Sequence, residues 1–413
     1  MKQTIAIIGC IDTKQSELKY MLEQIRQMNF DTFLIDASGT RHTISEPEAD
    51  ITNTMLLEEA GRTWEDIKGA PKDEILGILT EGLKSAVLKS YEAGKFQGII
   101  SAGGMQNTLM SKTAMEILPF GFPKINVAPA MTVVEVDDAL GRMDDVSTVN
   151  SFADIGGGIN QITKGILQNG LAALAGMMQY GSGEFSKIQT DVIGIMNLGV
   201  TAKGASEAAE ILNRRGMETC MFHGTMHGAI VEKLIDQGVL KGMMMLVVHD
   251  ILTEALGKYS FCKVPVLLAA KKKKIPILVS LSGMDVIDMS DKDFCKENLP
   301  DIETRKYHFH NKYCVHVKTT VEEILKGAKL LVERLNAYES PVTVLIPLKG
   351  FRTFTQKGEA LYDPEVDQAL IQYLHTHLKK DIRIVDVDAN ANDEEFSQVA
   401  AEEMEKLMKD GSR

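Results

Sequence analysis

The stretch Thr4-Ile5-Ala6-Ile7-Ile8-Gly9-Cys10-Ile11-Asp12-Thr13-Lys14 opens with a β-rich run that breaks at glycine and passes directly into a helical pattern. Branched apolar side chains fit a pleated, buried strand, and glycine permits the tight turn that follows it. The same design returns mid-chain, where Val192-Ile193-Gly194-Ile195-Met196-Asn197-Leu198-Gly199 leads into Val200-Thr201-Ala202-Lys203-Gly204. Each opening is a strand, a glycine-bearing turn with a Thr/Lys pair, and then a helix. Two such openings imply an α/β protein of two Rossmann-like doubly wound subdomains, with mostly parallel sheets and polar groups gathered at the strand ends.

Outward from the first opening, strand-like runs recur at 5–8, 32–35, 98–101 and 125–128, separated by helical patterns near 15–28, 71–93 and 106–118. That alternation reads as parallel sheet with helices on both faces. An alanine-rich helix near 158–178 is expected to pack between domains or against a partner subunit. Gln179-Tyr180-Gly181-Ser182-Gly183-Glu184-Phe185-Ser186 is the best linker, which divides the chain into domains 1–183 and 184–413 with a cleft between them. The second half repeats the alternation, with strands near 192–196, 218–222, 243–248, 276–281, 342–347 and 383–387.

A formal charge of −12 over 413 residues argues against a general nucleic-acid or anionic-membrane binder. The basic run Lys271-Lys272-Lys273-Lys274 reads as a solvated helix end. No stretch approaches the ~18 apolar residues of a membrane-spanning helix, and no signal-peptide pattern opens the chain. Five cysteines (10, 220, 262, 295 and 314) without CxxC spacing read as reduced thiols, so a cytoplasmic protein is expected.

Ligands of open parallel sheets bind beyond the carboxyl ends of the strands. In the first domain those ends carry Gly9 through Thr13, Asp36-Ala37-Ser38-Gly39, and Ser101-Ala102-Gly103-Gly104-Met105-Gln106-Asn107-Thr108. Paired glycines let backbone N–H groups approach an anion, the next helix adds its positive end, and Asn107 and Thr108 add side-chain donors. The same loop is also readable as a tight β–α turn. Neither a Walker loop nor a Gly-x-Gly-x-x-Gly fingerprint is present. Asp12 reads either as a helix cap or as a group reaching Mg²⁺ through water, with Thr13 and Lys14 on phosphate. Asp137-Asp138 and Asp144-Asp145, around Gly141-Arg142, form an acidic stretch in which Asp145 is a candidate Mg²⁺ ligand.

In the second domain the strand ends carry His223-Gly224-Thr225-Met226-His227, His249-Asp250 and Ser280-Leu281-Ser282-Gly283-Met284-Asp285. His223 and His227 have metal-pair spacing, but a glycine and a turn intervene. His308-Phe309-His310 on a strand places both imidazoles on one face, read as a polar sheet surface. His223 and Asp250 are the candidate proton-handling residues. The methionines at 243–245 read as buried strand.

Taken in order, Gly9-Cys10-Ile11-Asp12-Thr13-Lys14 with Glu17, the 103–108 loop, Val149-Asn150-Ser151-Phe152-Ala153-Asp154-Ile155 with Asn160, and Gly199-Val200-Thr201 form a recognisable series. It continues with Phe222-His223-Gly224-Thr225, Asp285-Val286-Ile287-Asp288, His310-Asn311, the 344–350 stretch with Asp363-Pro364-Glu365, and Asp388-Ala389-Asn390-Ala391-Asn392-Asp393. Nearly end to end, the chain resembles the family of the ATP-binding N-terminal domain of the tomato mosaic virus resistance protein, which inhibits tobamovirus RNA replication, and its bacterial and fungal relatives. The resemblance implies ATP with Mg²⁺ in the N-terminal subdomain, a homodimer, and in many relatives a TIM-barrel domain or partner. Cys10, Gln15 and the 225–229 turn depart from the family pattern, so His227 and His249 are not carried over.

Three functions follow as expectations. The first is an ATP/Mg-binding protein, with nucleotide held by Gly9, Asp12, Thr13, Lys14, Asp36, Gly103, Gly104, Asn107 and Thr108, that activates or phosphorylates a small metabolite. The second is a non-catalytic, ATP-regulated dimeric module acting with a TIM-barrel partner. The third is an enzyme acting on a small molecule other than a nucleotide.

Overall fold

The computed structural model describes residues 2–140, 144–187, 190–225, 227–257, 265–290 and 292–411. Gly141, Arg142, Met226 and Cys262, and the side chains of Asp137 and Asp138, lie outside the described residues. The chain forms two compact units, Met1–Leu140 with Asp144–Lys187, and Ile188–Arg413, so the division falls a little beyond the linker glycines.

The first unit holds a parallel five-stranded sheet of β1 (Thr4–Gly9), β2 (Asp31–Asp36), β3 (Gly98–Ala102), β4 (Lys124–Pro129) and β5 (Ser147–Ser151), in the order β2-β1-β3-β4-β5. Along β1, Ile5 and Ile7 enter one core and Ala6 and Ile8 the other, the period-two alternation of a strand covered on both faces. The helices Ile11–Gln27 and Gln161–Tyr180 supply the first core, with Leu18, Met21, Leu171 and Leu174. The helices Lys72–Glu92 and Met105–Met115 supply the second, with Leu79, Leu83 and Met110. Each fully buried leucine contributes about 1.5–3 kcal/mol. The alanine-rich helix therefore packs one face on its own sheet, while Ala172 and Ala173 stay exposed. Its Gly170 lies so near β4 that a Cβ there would stand 2.5 Å from Val127. Strand β5 was not expected, because its Ser-Thr-Val-Asn-Ser sequence belongs to a half-exposed edge and lacks an apolar run.

In the second unit, β6 (Val192–Asn197), β7 (Glu218–His223), β8 (Leu240–Val247), β9 (Ile277–Ser282), β13 (Val342–Pro347) and β14 (Arg383–Val387) form a parallel sheet ordered β14-β13-β9-β8-β6-β7. Met243, Met244 and Met245 are buried within β8, as their run implies. Between β9 and β13 the chain adds a small antiparallel sheet, of which the sequence reading had only the strand at His308–His310: β10 (Val286–Met289), β11 (Tyr307–Asn311) and β12 (Cys314–Lys318), ordered β10-β12-β11. Lys271–Lys273 close the short helix Leu268–Lys273 and are exposed. Among the described residues no helix is long and apolar enough to cross a membrane.

Candidate functional site

In the first sheet the chain runs from β1 to β2 on one side and then returns to lay β3 on the other. That reversal opens a crevice beyond the carboxyl ends of β1 and β3. A cavity of about 500 Å³ occupies it, and Asp12, Thr13, Lys14, Lys72, Gly104 and Asn107 are among its lining residues. Ala70, Ile75 and Met105 give the same cavity an apolar wall.

The two helices that begin at this cavity differ in how their ends are satisfied. Helix Ile11–Gln27 is closed by protein groups. Ile11 N–H donates to Asp36 Oδ1 at 3.2 Å, and Asp12 N–H donates to Ser38 Oγ at 3.1 Å. Asp36 also accepts from the Ser38 hydroxyl at 2.5 Å and pairs with His42 Nε2 at 2.8 Å, and it is not on the cavity wall. Asp36 is thus a buried clamp on the β1 turn, and an anion finds no open donors at that helix. Helix Met105–Met115 starts at Gly104 with no side-chain cap. Its first-turn N–H groups are left for water or ligand, with the positive end of the helix behind them.

Asn107 is nearly buried, and its Oδ1 lies 3.7 Å from the Cys10 thiol while its Nδ2 has no hydrogen-bond partner among the described residues. Burial, then the charges of Asp12 and Asp36, push the Cys10 thiol up to about 12, so it acts as a protonated donor and not as a nucleophile. Gly103 leaves room for Asn107: a Cβ there would sit 2.8 Å from the asparagine Cβ. Gly9 has the same packing role against Leu18, and Thr108 is fully buried with its hydroxyl turned to Gly103 O at 3.5 Å. Asp12 reaches the cavity while accepting from the Thr40 hydroxyl at 2.7 Å.

Lys14 has non-helical backbone angles in the first turn of its helix, and its ammonium lies against Gly156. Gly156, Gly157 and Gly158 all have positive φ, which only glycine adopts freely, and Glu17 Oε1 accepts from Gly158 N–H at 3.1 Å. Lys72 and this glycine run were not singled out from sequence, although three consecutive glycines before a helix are a visible signal.

Asp145 is not part of this site. It pairs with the buried Lys124 at 2.5 Å and accepts from Gly121 N–H, at the end of β4 where the strand begins. Asp144 is likewise held by Lys112 at 3.3 Å. In the second unit, His223 ends the edge strand β7 and its Nδ1 meets the Thr225 hydroxyl at 3.0 Å. His227 Nδ1 accepts from His223 N–H at 3.0 Å, which removes that nitrogen from metal binding. No group of three or more His, Cys, Asp or Glu arranged to hold a metal occurs among the described residues. Asp250 is buried in the first turn of helix His249–Leu256, one strand removed from β7 by the intervening β6. The structure thus does not assemble His223 and Asp250 from a single strand end.

What the second unit does assemble is a buried ionic network that the sequence reading missed. Arg352, fully buried, stands 3.7 Å from Asp285 and 3.6 Å from Asp288, and Lys318 links Asp285 at 3.4 Å to Asp367 at 2.7 Å. His249 Nε2 accepts from Asp288 N–H at 3.3 Å, and burial foremost pushes its pKa down, so it is a neutral structural acceptor.

Comparison with known proteins places the chain. It is 29% identical over 99% of its length to a UPF0261 protein of Clostridium tetani, all of which is covered, and 24% identical to one of Brucella suis over 98% of this chain and 96% of that one. It is 28% identical over 94% of its length to the ToMV resistance protein Tm-1(GCR237) of Solanum lycopersicum, of which it spans 54%, so it covers about half of that relative. Among solved structures, a UDP-GlcNAc 2-epimerase of Methanocaldococcus jannaschii shares 10% identity at a TM-score of 0.23, covering 96% of this chain and 98% of that one, a likeness with no bearing on chemistry. The N-terminal domain of the uncharacterised protein family UPF0261 matches residues 3–182 and its C-terminal domain matches residues 190–408, so the chain belongs to that family.

Proposed function

We propose that the first unit binds ATP with Mg²⁺ in the cavity at the carboxyl ends of β1 and β3. The observation that carries this reading is the cavity's two-part lining. Ala70, Ile75 and Met105 suit a nucleobase, while Lys14, Lys72 and the uncapped helix at Gly104 suit phosphates. The unpartnered Asn107 Nδ2 is a donor waiting for an acceptor on the ligand. Its volume, about 500 Å³, lies within the range of small-molecule sites.

The donor set fits a phosphate-bound Mg²⁺ rather than a dedicated metal cage. Asp12 is the carboxylate lining the cavity, and Asp36 and Asp145 are engaged elsewhere. An ion held by one carboxylate, water and phosphate oxygens is the usual arrangement for Mg²⁺. When bound, it supplies charge neutralisation between the phosphates.

Isothermal titration with ATP, with and without Mg²⁺, tests this. The expected result is micromolar, Mg²⁺-dependent binding that Lys14→Ala weakens by roughly 10–100-fold, the value of one charge-assisted contact. Absence of binding by the wild-type protein overturns the nucleotide reading, and unchanged affinity in Lys14→Ala overturns the site. Release of ADP by the purified protein then separates phosphoryl transfer from a regulatory role for the nucleotide.

A further inference from the structure

The antiparallel sheet of the second unit carries a polar row that nucleotide binding leaves unused. In its register Asp288 of β10 stands opposite His316 of β12, and His316 opposite His308 of β11. Directly paired residues share one face, so the three side chains form a line across the sheet.

Asp288 Oδ1 meets His316 Nδ1 at 2.6 Å. Burial pushes the Asp288 carboxyl up, but the His316 hydrogen bond and the charge of Arg352 outweigh it and hold it well below the usual carboxylate range. An ionised carboxylate can only accept, so Nδ1 carries the hydrogen that faces Asp288, and Nε2 is the ring nitrogen that can offer a lone pair. That Nε2 is buried and has no hydrogen-bond partner among the described residues, and His316 is only 5% exposed. Buried polar atoms are almost always paired, so an unpaired lone pair calls for a visiting donor.

The surroundings say which donor. Phe354 lies 4.1 Å from the His308 ring and 5.9 Å from His316, and His310 lies 5.3 Å from His316, as distances between ring centres. His308 and Phe354 are half-buried and His310 is exposed, so the row reaches solvent along this rim. Aromatic faces pack against the C–H faces of carbohydrate-like molecules, and imidazole N–H groups bond hydroxyls. Charge is matched beneath, because Arg352 faces both Asp285 and Asp288, and Lys318 faces Asp285 and Asp367. No surplus positive charge is offered to a phosphate. Burial and the Asp288 charge push the Cys314 thiol up to about 11, so it supplies no thiolate.

We propose that His316, oriented by Asp288, is a general base for a small, uncharged polyhydroxylated substrate seated against His308, His310 and Phe354. The step is a proton transfer. The substrate O–H bond breaks, its electron pair stays on oxygen, and the proton passes to Nε2, where the imidazolium is met by the Asp288 carboxylate. His316 is the catalytic residue and Asp288 the positioning residue.

The test is carbethoxylation of the full chain by diethyl pyrocarbonate, mapped residue by residue by mass spectrometry. His377 is an internal reference, since its Nδ1 donates to Tyr373 O at 2.9 Å and its exposed ring has no carboxylate partner among the described residues. His316 is expected to react faster than His377 despite its burial. Sorbitol is expected to protect His316 and leave His377 unchanged, and orthophosphate to protect neither. Asp288→Asn is expected to slow His316 roughly tenfold or more, as loss of an orienting carboxylate does elsewhere. The wild-type comparison stands even where that variant fails to fold. A His316 rate no greater than that of His377, an unchanged rate in a folded Asp288→Asn protein, or absence of sorbitol protection overturns the proposal. Protection by orthophosphate instead assigns an anionic ligand and overturns it equally.

Discussion

The two units share one architecture and use the ends of their strands in opposite ways. Beyond β1 and β3 the first unit leaves Lys14, Lys72, an uncapped helix and an orphan amide facing a cavity. Beyond β9 and β13 the second unit directs Asp285, Asp288, Lys318 and Arg352 at one another and buries them. Charge left unmatched over a cavity is suited to recruiting a ligand, whereas charge matched in the interior positions other groups. Fold alone therefore predicts neither role; the difference lies in which side chains the strand ends satisfy internally.

The largest expected effect comes from breaking the matched side. Arg352→Met leaves Asp285 and Asp288 as buried carboxylates with less compensation, which costs about 3–5 kcal/mol. Urea unfolding should show the second unit losing most of its stability while ATP binding by the remaining folded protein is kept. A loss under about 1 kcal/mol, the value of an exposed ion pair, would mean the network is hydrated and not truly buried.

The next effect concerns proton linkage within that network. Burial, opposed by Lys318 and reinforced by the charge of Asp285, raises Asp367 from 3.8 to about 7. The folded state therefore holds more protons than the unfolded state between those values, and stability falls as pH rises through that window, then levels above about 7. His249, kept neutral by burial, contributes the opposite slope. Asp367→Asn isolates the carboxylate, and stability of the wild type relative to this variant should fall by of order 1–3 kcal/mol between about pH 5 and about pH 8. A difference that does not change with pH would place Asp367 in contact with solvent.

The comparison also explains what the sequence disclosed. Strands such as Ile5–Ile8 and Met243–Val247 were legible because central parallel strands are covered on both faces and read as apolar runs. Ser147–Ser151 was not, since an edge strand can be polar on both faces. The cavity residues Asp12, Lys14, Gly104 and Asn107 were found because strand ends are local in sequence. Arg352, Asp288 and His316 were not, because a loop after β13 and two antiparallel strands meet only in three dimensions. Asp145 looked like a metal ligand for want of its partner: Lys124 lies 21 positions away in the chain and fully buried. A carboxylate's role is decided by its nearest cation, and that is a tertiary fact.

The smallest stability effect sharpens the other side of the comparison. Gly104 has φ −85° and ψ −161°, an extended conformation open to any residue, and an added Cβ there meets nothing within 4 Å. Gly104→Val should therefore fold, at a cost below about 1 kcal/mol from the poorer helix cap. The new branched side chain stands at the cavity wall, where phosphate must approach the first-turn N–H groups closely. ATP affinity should fall by at least about tenfold, or 1.4 kcal/mol, with the melting temperature of the free protein nearly unchanged. Gly103→Val is the contrasting control, since its Cβ would collide with Asn107 at 2.8 Å and stability and binding should decline together. If Gly104→Val binds ATP normally, the phosphates lie instead along Gly156–Gly158 and Lys14, and the open helix end is a feature of the turn alone.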